Sequence, residues 1–112
     1  MLIIMPFWAK LILSGEKVWE IRRGPTKHKG ERIGICMSGT GEVCAWATLH
    51  EVHGPLTQAE WKASAHLHKV RGAKMPYDRS TYAWHLTHVD VMLAPLSFER
   101  KKGCVIWDKV RA

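Results

Sequence analysis

Apolar and polar residues alternate along two neighbouring stretches of the chain, residues 31–37 and 42–52. A period of two places every second side chain on the same face of a strand, so both stretches are predicted to be strands. The small residues between them, at positions 38–41, predict a hairpin turn. The second strand carries Cys44 and Trp46 on its other face, which favours a strand covered on both sides.

Two segments have the spacing and the end signals of helices. The first begins at Pro6, which suits a first helical turn because its missing N–H is not needed there, and it ends at Ser14-Gly15. The second begins with the Thr57-x-x-Glu60 capping box and is predicted to run to about residue 69.

Shorter apolar or β-branched runs predict the remaining strands, at residues 2–5, 17–23, 82–93 and 104–110. Ala94-Pro95 is expected to end the third of these. The order is strand, helix, three strands, helix and two strands, without a repeated strand-helix-strand unit. This order predicts an α+β fold in which residues 1–112 form a single domain, a small and mostly antiparallel barrel with two flanking helices.

The net charge indicates a class of partner, and the cysteine content argues against two classes of structural site. The chain has 17 Lys plus Arg against 10 Asp plus Glu, a net charge of +7 that attracts polyanions. Its 3 cysteines form no C-x-x-C pair, which argues against a disulfide framework and against a zinc knuckle. No run of about 18 apolar residues exists, so no membrane span is predicted, and a cytoplasmic location is expected.

Residues 15–22 have the sequence G-E-K-V-W-E-I-R, which resembles the G-x-K-x-x-E-x-R signature of ASCH (activating signal cointegrator homology) domains. The preceding helix and the stretch at residues 29–35 are similar to the parts of the family that flank this signature. Tyr82-Ala83-Trp84 and residues 102–107 are similar to its two last strands. The resemblance therefore extends over nearly the whole chain, in the order that the family has.

The resemblance implies a PUA-like barrel with a cleft beside the signature. It also implies an association with RNA, since family members are associated with RNA, and ribonuclease activity has been attributed to some bacterial members. A few distant bacterial members hydrolyse acetylated cytidine nucleosides, and in them the position of Glu20 is a threonine taken to be the nucleophile. The glutamate here argues against that amidohydrolase mechanism, and Glu51 is only a weak candidate for its base.

Lys17, Glu20 and Arg22 of the signature carry the candidate chemistry. Glu20 and Arg22 share one face of the predicted strand, opposite Trp19 and Ile21, which are expected to face the core. Lys17 has the wrong parity to join them unless the chain bulges at the start of the strand. We predict such a bulge, with the three side chains converging in the cleft.

Each of these side chains has a chemical role in either binding or catalysis. Arg22 can hold a phosphate or a base edge with two parallel N–H bonds. Lys17 can supply a positive charge, or act as a base or nucleophile if burial lowers its pKa. Glu20 can accept from a base amino group or shuttle a proton, so Lys17 and Glu20 are the candidate catalytic pair. The alternative is a structural ion-pair network.

Further candidate ligand contacts lie outside the signature. Trp8 can form a wall of the cleft, and Tyr82 and Trp84 either stack on a base or belong to the core. Ser38 and Thr40 form either an anion cradle or, as such residues more often do, only a hairpin turn. The basic loop residues expected to hold phosphates are Arg23, Lys27, Lys29, Arg71, Lys74 and Arg79, with a further cluster at positions 100–102.

Three functions are compatible with these residues. The favoured one is a binding module for single-stranded RNA or a nucleotide, with DNA left open. The second is a hydrolase, either a ribonuclease or a nucleoside amidohydrolase, in which Lys17 is central. The third is a protein–protein adaptor that uses exposed tryptophans as anchors. The histidines lack the spacing of a zinc site, so no metal and no cofactor are predicted.

Overall fold

The computed structural model describes residues 1–97, which form five strands, three α-helices and one short 3₁₀ turn. The predicted strand at 104–110 and the basic cluster at 100–102 lie outside the described residues. In chain order the elements are β1 (Leu2–Ile4), α1 (Pro6–Leu13), β2 (Trp19–Arg23), β3 (Arg32–Met37), β4 (Glu42–His53), α2 (Gln58–Ala63), α3 (Ala65–His68), the 3₁₀ turn (Asp78–Ser80) and β5 (Thr81–Ser97).

The strands form one sheet in the order β1-β3-β4-β5-β2. β1 pairs with β3 in parallel, whereas β3–β4, β4–β5 and β5–β2 are antiparallel pairs. The sheet is curled into a half-barrel with β1 and β2 as its two edges, so the α+β fold class is confirmed. The hairpin predicted between β3 and β4 is also present.

The main core lies on one face of this sheet. The alternate residues of β4 that were expected to share an apolar face are at most 1% exposed, while Cys44 and Trp46 on the other face are half-buried. Helix α1 covers this core with Ala9 and Ile12. Helix α2 packs elsewhere, because Trp61 joins a second cluster that contains Ile21 of β2 together with Leu56 and Ala83.

The second predicted helix is wrong in one respect, because it is divided at Ser64 into α2 and α3. The Thr57–Glu60 capping box is present at its start. Ser64 then donates its hydroxyl to the carbonyl oxygens of Glu60 and Trp61, at 2.7 and 3.2 Å, and its main chain departs from helical angles. Such bonds from a serine to the preceding turn commonly bend helices.

The break predicted at Ala94-Pro95 is also wrong, because β5 continues to Ser97. Val91 pairs with Ala45 and Leu96 pairs with Val43, so the four residues 92–95 of β5 lie opposite the single residue 44 of β4. This irregularity is a bulge, where proline is tolerated because no ladder hydrogen bond is required of its nitrogen.

Candidate functional site

A cleft of about 410 Å³ lies where the two edges of the curled sheet face each other, between β1 and β2. The start of α1 and the segment at residues 70–77 complete its walls. Arg22 of β2 crosses between the edges, since its Nη2 donates to the carbonyl oxygen of Ile3 in β1 at 2.9 Å. The cleft is therefore lined by the signature strand and by a bridge that the signature arginine makes.

Lys17 reaches this cleft from a connection that precedes β2. The predicted strand start is corrected here, because β2 begins at Trp19 and the irregularity that turns Lys17 is a non-strand segment instead of a bulge. Gly15 permits it with a φ of 86°, and the Lys17 amide donates to the carbonyl oxygen of Leu11 at 3.0 Å. Released from strand alternation, the Lys17 side chain lies on the same side as Glu20.

The Lys17 ammonium group is almost completely buried, with the residue only 1% exposed. It lies 4.7 Å from the centre of the Trp8 ring and donates to the carbonyl oxygen of His68 at 2.5 Å. Burial lowers the pKa of Lys17 from 10.5 to about 8, although the nearby Glu20 acts in the opposite direction. At neutral pH it is thus a cation that gives up its proton more readily than an ordinary lysine.

Glu20 is buried beside it, with 7% of the residue exposed. Burial raises the pKa of its carboxyl group, and this effect exceeds the opposing influence of Arg22, Lys17 and the Ile21 amide. The carboxyl group of Glu20 therefore binds a proton more readily than an exposed glutamate does.

Among the residues that the structure describes, the guanidinium of Arg22 is hydrogen-bonded through Nη2 but not through Nε. Its Nε lies 3.4 Å from Glu20 Oε2, close enough for attraction but without hydrogen-bond alignment. Within residues 1–97, this buried Nε has no hydrogen-bond partner. The guanidinium also lies 5.8 Å from the centre of the Trp84 ring. Its geometry leaves a buried donor beside an open cleft.

The structure brings together a subset of the residues predicted from the sequence. Five of them line this one cleft: Trp8, Lys17, Glu20, Arg22 and Ser38. Lys17 makes a cation–π contact with Trp8, Glu20 forms an ion pair with Arg22, and electrostatic attraction couples Lys17 to Glu20. The three signature side chains thus line one cleft, and their role in binding stays a prediction.

Three other candidate contacts lie away from the cleft. Trp84 is 6% exposed within the main core, and its indole N–H donates to the carbonyl oxygen of Gly24 at 3.1 Å. Tyr82 is half-buried against the same core. Thr40 stabilises the hairpin turn, where its hydroxyl donates to the carbonyl oxygen of Met37 at 2.8 Å. These positions fit the alternatives that the sequence left open, the core for Trp84 and Tyr82 and a hairpin turn for Thr40.

The predicted phosphate-binding residues divide into groups. Arg23 and Arg79 line a hollow of about 600 Å³ together with Tyr77, and the Arg23 guanidinium lies 5.1 Å from the Tyr77 ring centre. Arg71 lines a second hollow of about 510 Å³ with Lys69. Lys29 forms an ion pair with Glu51, and Lys27 and Lys74 are exposed without lining the cleft or either hollow.

Sequence reasoning missed one wall of the cleft. Val70, Pro76 and Tyr77 line it, although in this segment the sequence analysis assigned a role only to the cations Arg71 and Lys74. The His68 carbonyl that binds Lys17 was missed for the same reason. The one available signal was Tyr77 itself, an aromatic residue beside a proline in a basic segment without hydrophobic periodicity.

The part of the chain that the structure describes contains neither a group of metal ligands nor a helix that could cross a membrane. Within residues 1–97, no three His, Cys, Asp or Glu side chains are grouped to hold a metal ion. His68 of the His66-Leu67-His68 sequence instead bonds to Trp61 and Val70. None of the described helices is long and apolar enough to cross a membrane.

Comparison with known proteins gives a family and a set of similar folds. The model of the ASCH domain family matches residues 2–96. A crystal structure of an ASCH protein from Zymomonas mobilis is similar at a TM-score of 0.71 and 20% identity, covering 86% of this chain and 71% of that one. A tyrosine-to-phenylalanine mutant of that protein gives a TM-score of 0.70 at 20% identity, covering 86% and 73% of the two chains. No curated protein sequence matches the chain.

Proposed function

The chain belongs to the ASCH domain family, which is PUA-like and associated with nucleic acid binding in general, and on this premise we propose that its cleft binds one base of single-stranded RNA or a nucleotide. The observation that carries the proposal is the meeting of Lys17, Glu20 and Arg22 against Trp8 in one open cleft. A structural ion-pair network would instead be packed shut, because buried charges that serve only stability are normally fully paired.

The cluster of Lys17, Glu20 and Arg22 can form hydrogen bonds with the edge of a base. An ionised Glu20 accepts from an exocyclic amino group, and the buried Arg22 Nε supplies a donor that no described residue uses. Lys17 adds a positive charge close to Glu20. The apolar walls include Trp8 and Tyr77, and aromatic side chains stack on splayed bases of single-stranded RNA.

The hollows on either side suit the phosphate groups of a strand. Tyr77 lines both the cleft and the hollow of Arg23 and Arg79, and Val70 lines both the cleft and the hollow of Arg71. Basic side chains therefore continue from the cleft in two directions. We propose that a strand whose base enters the cleft places its neighbouring phosphates against these cations.

Binding is tested by a fluorescence anisotropy titration of a labelled, short, single-stranded RNA of mixed sequence. We expect Lys17→Met to weaken binding at least about tenfold, because it removes a desolvated charge next to the ligand. The matched control is Lys10→Met, the same change at an exposed lysine of α1, and it should bind like the wild type.

The same titration at increasing salt concentration separates the contribution of the cleft to affinity from that of the basic hollows. Arg23→Ala and Arg79→Ala should weaken binding and make its salt dependence shallower, since each removes a phosphate contact. Equal affinities for wild type and Lys17→Met would refute the proposed cleft. A duplex and a DNA strand of the same sequence decide between the nucleic acids.

One observation favours a hydrolase as the second candidate. Burial lowers the pKa of Lys17 to about 8 and raises the pKa of Glu20, and shifts in these directions are typical of groups that transfer protons in active sites. In such an enzyme the neutral amine form of Lys17 accepts a proton from the attacking hydroxyl, and the protonated carboxyl group of Glu20 donates one to the leaving oxygen. Glu20 does not reproduce a threonine nucleophile, so a ribonuclease fits these side chains better than the amidohydrolase mechanism does.

Turnover is tested on the same RNA and on acetylated cytidine, with product analysis after prolonged incubation. Cleavage by the wild type that Lys17→Met abolishes would establish the hydrolase. Tight binding without any product in either assay would leave the binding module as the function.

A further inference from the structure

The carbonyl oxygen that binds the Lys17 ammonium belongs to His68, a histidine that does not itself line the cleft. His68 is 1% exposed and is the last residue of α3. Neither the base contacts nor the phosphate contacts proposed above use its side chain. A buried imidazole with defined partners, directly attached to the group that holds the central lysine, requires an explanation.

The His68 imidazole is fixed on three sides. Its Nε2 lies 3.0 Å from the carbonyl oxygen of Trp61, and its Nδ1 lies 2.9 Å from the amide nitrogen of Val70. A carbonyl only accepts and an amide N–H only donates, so Nε2 carries the proton and Nδ1 accepts. The ring also stacks on the Trp61 indole, with centres 3.8 Å apart and planes at 12°.

These bonds surround a main-chain turn that continues into the cleft wall. Lys69, between His68 and Val70, has a φ of 60°, a left-handed conformation that non-glycine residues adopt only when their surroundings hold it. The bond from the Val70 amide to the His68 ring spans this residue. Val70 then lines the cleft. The turn therefore connects the imidazole both with the His68 carbonyl oxygen, which accepts from Lys17, and with a wall of the cleft.

We infer that His68 is a positioning residue for Lys17: its neutral imidazole holds the turn at Lys69 in the form that directs the His68 carbonyl oxygen at the Lys17 ammonium. The inference rests on the proposed function, in which that ammonium meets the ligand. A carbonyl oxygen accepts along a restricted set of directions. Holding it fixed therefore keeps the ammonium at one place over Trp8, beside Glu20 and Arg22.

The variants that test this role separate the ring from its hydrogen bonds. His68→Phe keeps an aromatic ring against Trp61 but removes both bonds. His68→Asn keeps an acceptor for the Val70 amide, since an asparagine oxygen readily accepts from the amide two residues further on. Each change is made in the full chain with Lys17 present and again with Lys17→Met.

Affinity for the short single-stranded RNA of mixed sequence is the first measurement. His68→Phe should weaken binding about tenfold when Lys17 is present and should have no further effect in the Lys17→Met protein. His68→Asn should restore most of the loss. An equal loss with and without Lys17 would show that His68 acts only on stability, which would overturn the inference.

The nuclear magnetic resonance signal of the Lys17 ammonium is the second measurement, and it needs no ligand. A buried ammonium held by a carbonyl should give a slowly exchanging signal in the wild type and in His68→Asn, and this signal should be lost in His68→Phe. An unchanged signal in His68→Phe would overturn the inference. If Lys17→Met binds RNA as the wild type does, the proposed function fails, while the ammonium signal still decides the role of His68.

A third variant covers the case in which His68→Phe does not fold, as judged by circular dichroism. His68→Gln can keep a donor for the Trp61 carbonyl but lacks the acceptor beside Val70. It should show the same Lys17-dependent loss of affinity and the same loss of the ammonium signal, and the same contrary outcomes would overturn the inference.

Discussion

Two lysine–glutamate pairs in this molecule have the same residue types but differ in burial and in direct contact. Lys17 and Glu20 are buried in the cleft, whereas Lys29 and Glu51 meet on the outside, with side chains 56% and 36% exposed. The outer pair is in direct contact, at 2.7 Å between Lys29 Nζ and Glu51 Oε1. The buried pair interacts within a larger group that includes Arg22 and Trp8.

The two glutamates show what burial does to the same pairing. The hydrogen bond from Lys29 lowers the pKa of Glu51, as expected for a solvated ion pair. Burial raises the pKa of Glu20 despite two neighbouring cations. Desolvation therefore outweighs charge attraction in the cleft, and groups held in this unfavourable state are typical of binding and catalytic sites.

The largest expected effect that separates the pairs is on the pH dependence of stability. Lys17 has a folded-state pKa of about 8 against 10.5 for an ordinary lysine, so the unfolded chain binds more protons between these values. The free energy of unfolding should therefore gain up to about 3 kcal/mol from Lys17 as the pH rises through this window. Below it, the full cost of burying the charge remains.

This contribution is measured by urea denaturation of the wild type and of Lys17→Met at about pH 7 and about pH 10. The change in the free energy of unfolding between the two pH values is compared between the two proteins. Other lysines and the tyrosines titrate in both proteins and cancel. Lys29→Met serves as the comparison, and it should keep the pH dependence of the wild type. The same pH dependence in Lys17→Met would mean that Lys17 is not desolvated.

The second effect is on stability at neutral pH. Lys17→Met should raise the free energy of unfolding by about 1–2 kcal/mol, because an apolar side chain of similar size replaces a buried charge. Lys29→Met should leave the urea midpoint unchanged, since exposed ion pairs contribute little. Destabilisation by Lys17→Met, measured in the same urea titrations, would indicate a structural lysine instead of one retained for function.

The smallest effect is the influence of each glutamate on its surroundings. Glu20→Gln should lower the pKa of Lys17 further, because the carboxylate is the group that raises it. Glu51→Gln should leave the pKa of Lys17 unchanged. The measurement is the pH dependence with which an amine-selective reagent modifies Lys17, followed by mass spectrometry. A pKa of Lys17 that rises in Glu20→Gln would contradict the coupling of the two groups.

Alternation and family resemblance were sufficient to predict most of the fold. Strand β4 could be predicted in detail because its side chains at 43, 45, 47 and 49 must all be buried on one face. The signature identified Lys17, Glu20 and Arg22 because it specifies residue types at fixed spacing. The bulge that accommodates Pro95 could not be predicted, since it depends on which residues of β4 lie opposite.

The remaining parts of the site depend on tertiary contacts that leave no local pattern. Tyr77 and Val70 reach the cleft because their segment returns to it after α3, which no periodicity indicates. His68 acts through its main-chain carbonyl, a group that every residue has. Trp84 and Tyr82 have the sequence character of stacking residues, and only their tertiary packing shows that they lie against the core.

The most direct test of the account is a map of where RNA contacts the protein, obtained from nuclear magnetic resonance shifts during titration with a short single-stranded RNA. We expect the largest changes at the Trp8 indole, the Arg22 Nε–H and the amides around Val70 and Tyr77. Changes confined to the outer face around Lys29 and Glu51, with the cleft signals unmoved, would contradict it.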